Sequence, residues 1–548
     1  MKSIKSSSKS GSNFVVQGSI LAIAGILVRV IGLLYRIPLI RIIGDEGMGY
    51  YSTAYNVYAI MLLLSSYSLP LAVSKMVSAR LGKDEYINAN RILKAALLYA
   101  TLVGFIGTMA VIYYSGWLSN SLFHLPLSQY AMLTLAPTIW IMAYLGVFRG
   151  YFQGRSTMVP TAISQILEQI VNAFVSVSAA WFLCQYAIIN GRDSSTIRAF
   201  GASGGTIGTG AGAVTALVVL IFLFILETKS RKLNIQNDSS GRVEGYFTIS
   251  RILFFTVIPV ILSTAVYNIN SIIDNAIFGH VMDGFGEIPE TIANDYGVYS
   301  GKYLLLINVP VAIANSLSSS LIPTLANSVA KRQRKEVRRK ISIAIRFAML
   351  VGIPSAVGLA VLAEPIMHML FGKNDLAVAL LQVGSVAVVF YSLSTVSNAI
   401  LQGTNHMSIP VRNAVYSLII HTVSLYVMLY VFKMGLYGLV FANIVFAFCM
   451  CIFNAAAIKY KLHYKQEILK TYLGPALCSL IMGVCTYFVY ALVSVRTRRL
   501  YSTVISILVA IFVYTISILL TKSVGEEDLR AMPMGRSLVK ILKKIHLL

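Results

Sequence analysis

Gly49-Tyr50-Tyr51-Ser52 opens one long apolar run, and Gly297-Val298-Tyr299-Ser300 opens another 248 residues later. A second pair of motifs keeps nearly the same offset. Gln153-Gly154 with Met158 recurs as Gln402-Gly403 with Met407, 249 residues on, and a proline follows each copy, Pro160 and Pro410. Each match alone is short. Two matches at nearly one offset, in corresponding places between apolar runs, mark a chain built on an internal repeat of roughly 250 residues.

Outward from these motifs the chain is a succession of apolar stretches. A helix needs roughly 20 apolar residues to cross a bilayer core. Fourteen stretches meet that length: 14–43, 50–77, 92–115, 130–152, 158–189 and 203–226, then 251–282, 299–329, 341–371, 376–401, 409–432 and 436–458, and last 472–495 and 501–521. The expected fold is an all-α polytopic membrane protein with 14 transmembrane helices. An N-lobe over 1–228 is followed by a polar cytoplasmic linker at 229–250 and a C-lobe over 251–458. Two further helices fall within 459–523, and a cytoplasmic amphipathic tail runs over 524–548. Six spans per repeat is an even number, so both copies face the same way. They are then related by a pseudo-two-fold axis along the membrane normal, with a cavity expected between them. The first apolar run is far longer than a signal-peptide core, and it reads as a retained span.

Composition agrees. Of the 548 residues, 57% are hydrophobic and 12% charged, with a mean hydropathy of +0.74. A soluble domain carries about 25% charge, so a water-soluble globular enzyme is excluded. The net charge of +24 arises from 45 Lys and Arg against 21 Asp and Glu. Sorted by loop, 34 of the 45 fall on one side of the membrane and eight on the other. Basic residues gather in cytoplasmic loops, so both termini are expected in the cytoplasm of a multi-pass plasma-membrane protein. The excess therefore reports orientation and calls for no nucleic acid. The run Lys331 to Lys340 reads as a solvated loop, and Leu538 to Leu548 as an interfacial helix on the inner leaflet. The five cysteines lie in or beside apolar stretches without metal-ligand spacing and read as small buried hydrophobes.

Three basic residues remain inside the spans: Arg29, Arg36 and Lys302. A charge at membrane depth should face a cavity or a partner. Arg29 and Arg36 are seven residues apart, two helical turns, which puts them on one face roughly 10 Å apart. Two guanidinium groups so placed suit a diphosphate, each binding bidentately; the alternative is that they snorkel to the interface or neutralise buried carboxylates. Against them stand Glu168, Asp274 and Glu364, which read either as ion-coupling groups or as counter-charges. His368, one turn after Glu364, and His421 are imidazoles at membrane depth. The chain has no Walker motif or His-Glu-x-x-His and only short outward loops, so no enzyme, metal or cofactor is expected.

The segment Arg29-Val30-Ile31-Gly32-Leu33-Leu34-Tyr35-Arg36-Ile37-Pro38, with Ile43-Gly44-Asp45-Glu46-Gly47-Met48-Gly49-Tyr50-Tyr51, resembles the opening of polysaccharide-biosynthesis membrane proteins. The similarity is to their stage V sporulation protein B-like and lipid II flippase branch, within the MOP exporter superfamily. Ser68-Leu69-Pro70-Leu71-Ala72-Val73-Ser74-Lys75, Phe152-Gln153-Gly154 and Ser164-Gln165-Ile166-Leu167-Glu168-Gln169 are similar to that branch too. The resemblance implies translocation of an undecaprenyl-diphosphate-linked saccharide, the peptidoglycan precursor lipid II foremost, from the inner to the outer leaflet by alternating access. It implies that Arg29, Arg36 and Lys302 engage the diphosphate. It also implies a drive from Na+, H+ or the membrane potential, and lipid-linked oligosaccharide, membrane lipids and the cell-wall synthesis machinery as partners. Two other readings stand beside it. An ion-coupled multidrug exporter of the same superfamily would need an acidic cavity for cationic substrates. A non-transporting cell-wall assembly scaffold would need no buried charge.

Overall fold

The computed structural model describes residues 20, 21, 23–236, 238, 241 and 243–521, and at 259, 260 and 262–267 the backbone alone. The expected interfacial tail at 538–548 lies outside the described residues. Every regular element among them is helical. Among the described residues, eleven helices are long and apolar enough to cross a membrane, and twelve when the pair Asp375–Gly384 and Ala387–Gly403, bent by 48°, counts as one span. The count of fourteen is not confirmed among the described residues, since the first and seventh stretches fall outside that set. The first appears as the shorter apolar helix α1 (Ile23–Leu34). The seventh lies in the 39-residue helix α9 (Tyr246–Gly284).

The chain divides into two compact units, Met1–Gly297 and Val298–Leu548. In the first, α1 is followed by α2 (Arg36–Leu62), a π-helical turn at Leu63–Tyr67, α3 (Leu69–Leu81), α4 (Tyr86–Trp117), α5 (Ser128–Gly154), α6 (Val159–Ile189), α7 (Ser194–Leu226), α8 (Thr228–Gln236), α9 and α10 (Pro289–Gly297). Its core joins Leu69, Val73 and Val77 of α3 to Ile92 and Ala96 of α4, Ala143 and Val147 of α5, and Ile249, Leu253 and Val257 of α9. So α9, which opens the second copy of the repeat, packs within the first unit. The second unit holds a π-helical turn (Val298–Tyr303), α11 (Leu304–Ala330), α12 (Arg334–Val361), α13 (Ala363–Phe371), α14 (Asp375–Gly384), α15 (Ala387–Gly403), α16 (Ser408–Tyr426), α17 (Leu436–Leu462), α18 (Gly474–Ser494) and α19 (Arg499–Leu520).

The repeated motifs turn out to be sites of close helix approach. A Cβ on Gly154 of α5 would lie 2.8 Å from Val77 Cβ and 3.0 Å from the Ser74 carbonyl oxygen of α3. A Cβ on Gly403 of α15 would lie 3.1 Å from Leu325 Cβ and 3.0 Å from the Ile322 carbonyl oxygen of α11. The partners Ser74 and Ile322, like Val77 and Leu325, are 248 residues apart, so the same contact is built twice. Gly49 and Gly297 go further and face each other's helix. A Cβ on Gly49 would run into the Ala293 carbonyl, and one on Gly297 into the Asp45 carbonyl. Ala293 and Asp45 are again 248 apart. Each glycine thus meets the residue that corresponds to the other's partner, so α2 and α10 make one reciprocal contact within the first unit.

The break between the first two apolar stretches takes one residue, where their bounds predict a loop reaching to Gly49. Gly44 adopts φ 71° and ψ 179° inside α2, a conformation open in practice to glycine alone. Helix resumes at once with Asp45. Arg198 fills the space beside Gly44 where a side chain would go, and its Nε is held 3.1 Å from Glu46 Oε2. Gly44→Ala is expected to lower stability by about 1–3 kcal/mol from backbone strain, with the displaced Arg198 adding to it. Thermal unfolding of the detergent-solubilised protein reads this, and an unchanged midpoint would contradict it.

Candidate functional site: a polar cluster on the first unit

Arg29 and Arg36 sit on one helical course. Although α1 and α2 are separated at Tyr35, Tyr35 N–H donates to the Ile31 carbonyl at 3.1 Å and Leu39 N–H to the Tyr35 carbonyl at 3.2 Å. The ladder thus runs through, and the seven-residue spacing is kept. Arg29 is exposed and Arg36 half-buried. Arg36 lies 6.0 Å from the centre of the Tyr55 ring, within the range of cation–π attraction. Tyr55 stacks on Tyr51 at 5.7 Å and meets Tyr58 edge-on at 5.4 Å. The Tyr35 and Tyr51 hydroxyls are 3.4 Å apart, and Asn172 Nδ2 donates to the Tyr35 hydroxyl at 3.5 Å. An arginine among tyrosine rings keeps its fork of donors aimed while its flat face is packed.

Glu168 of α6 has Arg149 of α5 as its partner. Arg149 Nη2 donates to Glu168 Oε2 at 2.6 Å, and Arg149 Nε to Ser164 Oγ at 3.1 Å. Their side chains are 10% and 17% exposed, so this is a buried ion pair with further hydrogen bonding. Arg149 had been counted among the loop charges that set orientation, and the structure buries it. The signal was available, since Arg149 lies three residues inside the apolar stretch 130–152. One turn further along α6, Asn172 reaches the Tyr35 hydroxyl and so ties the helix to the tyrosines. Its neighbour Gln169 puts Oε1 within 3.9 Å of where a Gly32 side chain would start on α1. The arginine-bearing course and the Arg149–Glu168 pair therefore border one polar, tyrosine-lined cluster. Small residues set the depth of α6 in it. Gly204, Gly208 and Gly212 of α7, spaced by four, bring α7 against the α6 backbone, and a Cβ on Gly212 would lie 2.5 Å from the Glu168 carbonyl oxygen.

The other candidates lie elsewhere. Asp274 of α9 is 3% exposed, with Asn270 Nδ2 3.5 Å from its Oδ2. It belongs to a polar seam between α2, α9 and α10, in which Asn56 Nδ2 donates to the Tyr296 hydroxyl at 2.8 Å and Asn275 Nδ2 to Thr53 Oγ1 at 2.9 Å. Lys302 is in the second unit, 4% exposed in the π-helical turn before α11. Glu364 opens α13, after α12 has ended at Val361, and its side chain is 65% exposed 3.7 Å from His368 Nδ1. The stretch 341–371 is thus two helices, and Glu364 belongs to the second of them. The proline at 365 suits the first turn of a new helix and not the interior of an old one. His421 is fully buried, its Nδ1 2.8 Å from the Ala442 carbonyl oxygen, so that nitrogen carries the proton. Among the described residues no group of three His, Cys, Asp or Glu is arranged to hold a metal.

Buried charge on packed apolar helices, arranged in an internal two-fold repeat, defines the class: a multi-pass helical membrane protein with the architecture of a transporter. The chain belongs to the polysaccharide biosynthesis protein family, whose model matches residues 15–329, and so to the MOP exporter superfamily. A second model, MatE, matches 303–427. Stage V sporulation protein B of Bacillus subtilis (strain 168) is 24% identical over 528 residues, covering 95% of this chain and 98% of that protein. The lipid II flippase MurJ of the same organism is 27% identical over 419 residues, covering 74% of this chain and 75% of its own. A solved lipid II flippase MurJ in an inward closed conformation shares the fold, with a TM-score of 0.65 at 17% identity over 91% of this chain and 97% of that one. The chain accordingly groups with membrane transporters and not with enzymes.

Proposed function

We propose that this protein is a flippase for an undecaprenyl-diphosphate-linked saccharide, lipid II foremost, working from the inner to the outer leaflet of the plasma membrane. The observation that carries the reading is the pairing of Arg29 and Arg36 on one helical course beside a tyrosine-lined cluster. Diphosphate is an anion that must lose part of its hydration to enter a membrane protein. Guanidinium forks held in place replace that water with bidentate hydrogen bonds. The similarity to a lipid II flippase supports the same substrate class. Lys302 is a third diphosphate ligand in this reading, and Asp274 is a site for a coupling cation, Na+ or H+, with the membrane potential as the alternative drive. Both termini are cytoplasmic, and the cell-wall synthesis machinery receives the product. A multidrug exporter, which the MatE match would allow, handles cations, and two arginines disfavour that cargo.

The test is a strain depleted of its own flippase activity. Lipid II should accumulate in the inner leaflet, this protein should relieve it, and Arg29→Ala should not. Unchanged leaflet distribution on expressing the wild type would sink the reading. Full relief by Arg29→Ala would favour a scaffold.

A further inference from the structure

The repeat offers an internal control for the Arg149–Glu168 pair. The helices carrying it, α5 and α6, correspond to α15 and α16. Their N-caps Met158 and Met407 are 249 residues apart, and that register aligns the buried faces: Ser164, Asn172 and Ser176 with Asn413, His421 and Leu425. (The prolines that follow fall one residue out of step.) In this register Arg149, Ser164 and Glu168 correspond to Asn398, Asn413 and Ser417. The second unit ties the same two helices with neutral groups only. Asn454 Nδ2 of α17 donates to Asn398 Oδ1 at 2.7 Å, and Asn413 Nδ2 donates to Asn454 Oδ1 at 2.9 Å. Holding this junction together does not require charge. A buried ion pair is a poor choice for stability alone, since neutral replacements of similar volume are often as good or better. The charge in the first unit therefore serves something other than packing.

We propose that Arg149 and Glu168 form an exchangeable ion pair, in which an anionic phosphate oxygen of the substrate displaces the Glu168 carboxylate from the Arg149 guanidinium during transport. The proposal rests on the diphosphate reading above. Three features of the cluster suit it. Arg149 presents one nitrogen to Glu168 and another to Ser164, so an incoming oxygen can take the first while the second keeps the side chain aimed. Asn172, one turn after Glu168, already bonds the Tyr35 hydroxyl, which itself lies 3.4 Å from that of Tyr51, so polar groups stand beside the released carboxylate. Arg36, over the Tyr55 ring, is only half-buried, which gives the cluster an edge open to its surroundings. The carboxylate then acts as an internal competitor. It keeps Arg149 neutralised when the site is empty and sets an upper limit on how tightly the anion is held, which a transporter needs in order to release its cargo.

The test measures equilibrium binding of undecaprenyl diphosphate, and leaflet transport, for the full-length protein in nanodiscs. Glu168→Gln removes the competitor but keeps a hydrogen-bonding side chain. Its expected result is binding tightened by roughly tenfold, with slower turnover. Unchanged or weaker binding overturns the proposal, because a purely structural pair yields no gain in affinity when it is broken. The triple variant R149N/S164N/E168S places on α5 and α6 the neutral side chains that α15 and α16 carry, without the bridging asparagine that Asn454 supplies. It should fold with a melting temperature close to wild type, bind the probe at least tenfold more weakly, and fail in transport. Wild-type binding and transport in the triple variant overturn the proposal, and if it does not fold, Glu168→Gln alone decides. If the wild type itself does not bind the probe, the diphosphate reading fails. If the wild type binds and neither variant changes that, the exchange alone fails.

Discussion

Arg36→Ala is expected to reduce transport by at least a hundredfold while leaving the protein folded. The side chain begins α2, is half-buried, and packs its flat face toward Tyr55 rather than filling the core. Alanine at this position loses no helix propensity, and the stacked Tyr51–Tyr55–Tyr58 rings keep one another in place. What is lost, if Arg36 binds the diphosphate as proposed, is the anion contact. A hydrogen bond to a charged group contributes about 1.5–3 kcal/mol, and a bidentate pair makes two of them. Each 1.4 kcal/mol is a factor of ten, so removing the fork costs on the order of a hundredfold or more. Lysine restores the charge but not the fork or the ring contact, and Arg36→Lys should recover only a minor part of the activity. The measurement is outward movement of a fluorescent undecaprenyl-diphosphate-linked probe in reconstituted vesicles. Wild-type rates in Arg36→Ala would remove Arg36 from the binding site.

The parts of this molecule legible in the sequence are those with a period or a repeat. Apolar length located the helices, and the two glycine motifs located the repeat, because a close helix crossing tolerates no other residue on either copy. The parts missed depend on contacts between segments distant in the chain. Arg149 looked like one more basic residue near a helix end, and only Glu168, 19 residues on, and Ser164 make it a buried partner. Glu168 was open between ion-coupling group and counter-charge. Its counter-charge is Arg149, and neither of the first-span arginines needs to be invoked. Glu364 looked intramembrane because the apolar stretch 341–371 is continuous, whereas the helix breaks at Leu362. Hydropathy has no way to register that break. The single-residue turn at Gly44 was equally hidden, since one glycine among several gives no sign of a positive φ. Length alone also overstates what a helix does: the seventh stretch belongs by sequence to the second repeat and by packing to the first unit.

Gly49→Ala and Gly297→Ala should each destabilise the protein by about 3 kcal/mol, at the upper end of what overpacking a tight interior usually costs. Most small-to-large changes are softened because a neighbouring side chain rotates away. Here the obstruction is backbone on both sides: the Ala293 carbonyl opposite Gly49, and the Asp45 carbonyl opposite Gly297. Both carbonyls lie within helices, α10 and α2, so neither can swing without breaking its own ladder. Relief requires α2 and α10 to separate, and that separation is the source of a sharper expectation. A displacement that accommodates one methyl group also makes room for the other, because both contacts are made by the same two helices. The double variant should therefore cost clearly less than the sum of the two single changes, with a coupling of about 1–2 kcal/mol. Gly154→Ala and Gly403→Ala occupy separate crossings, one in each unit, and should add without coupling. Melting temperatures of the four single and two double variants in one detergent measure all of this. Full additivity of the Gly49 and Gly297 changes would mean that they do not share a contact.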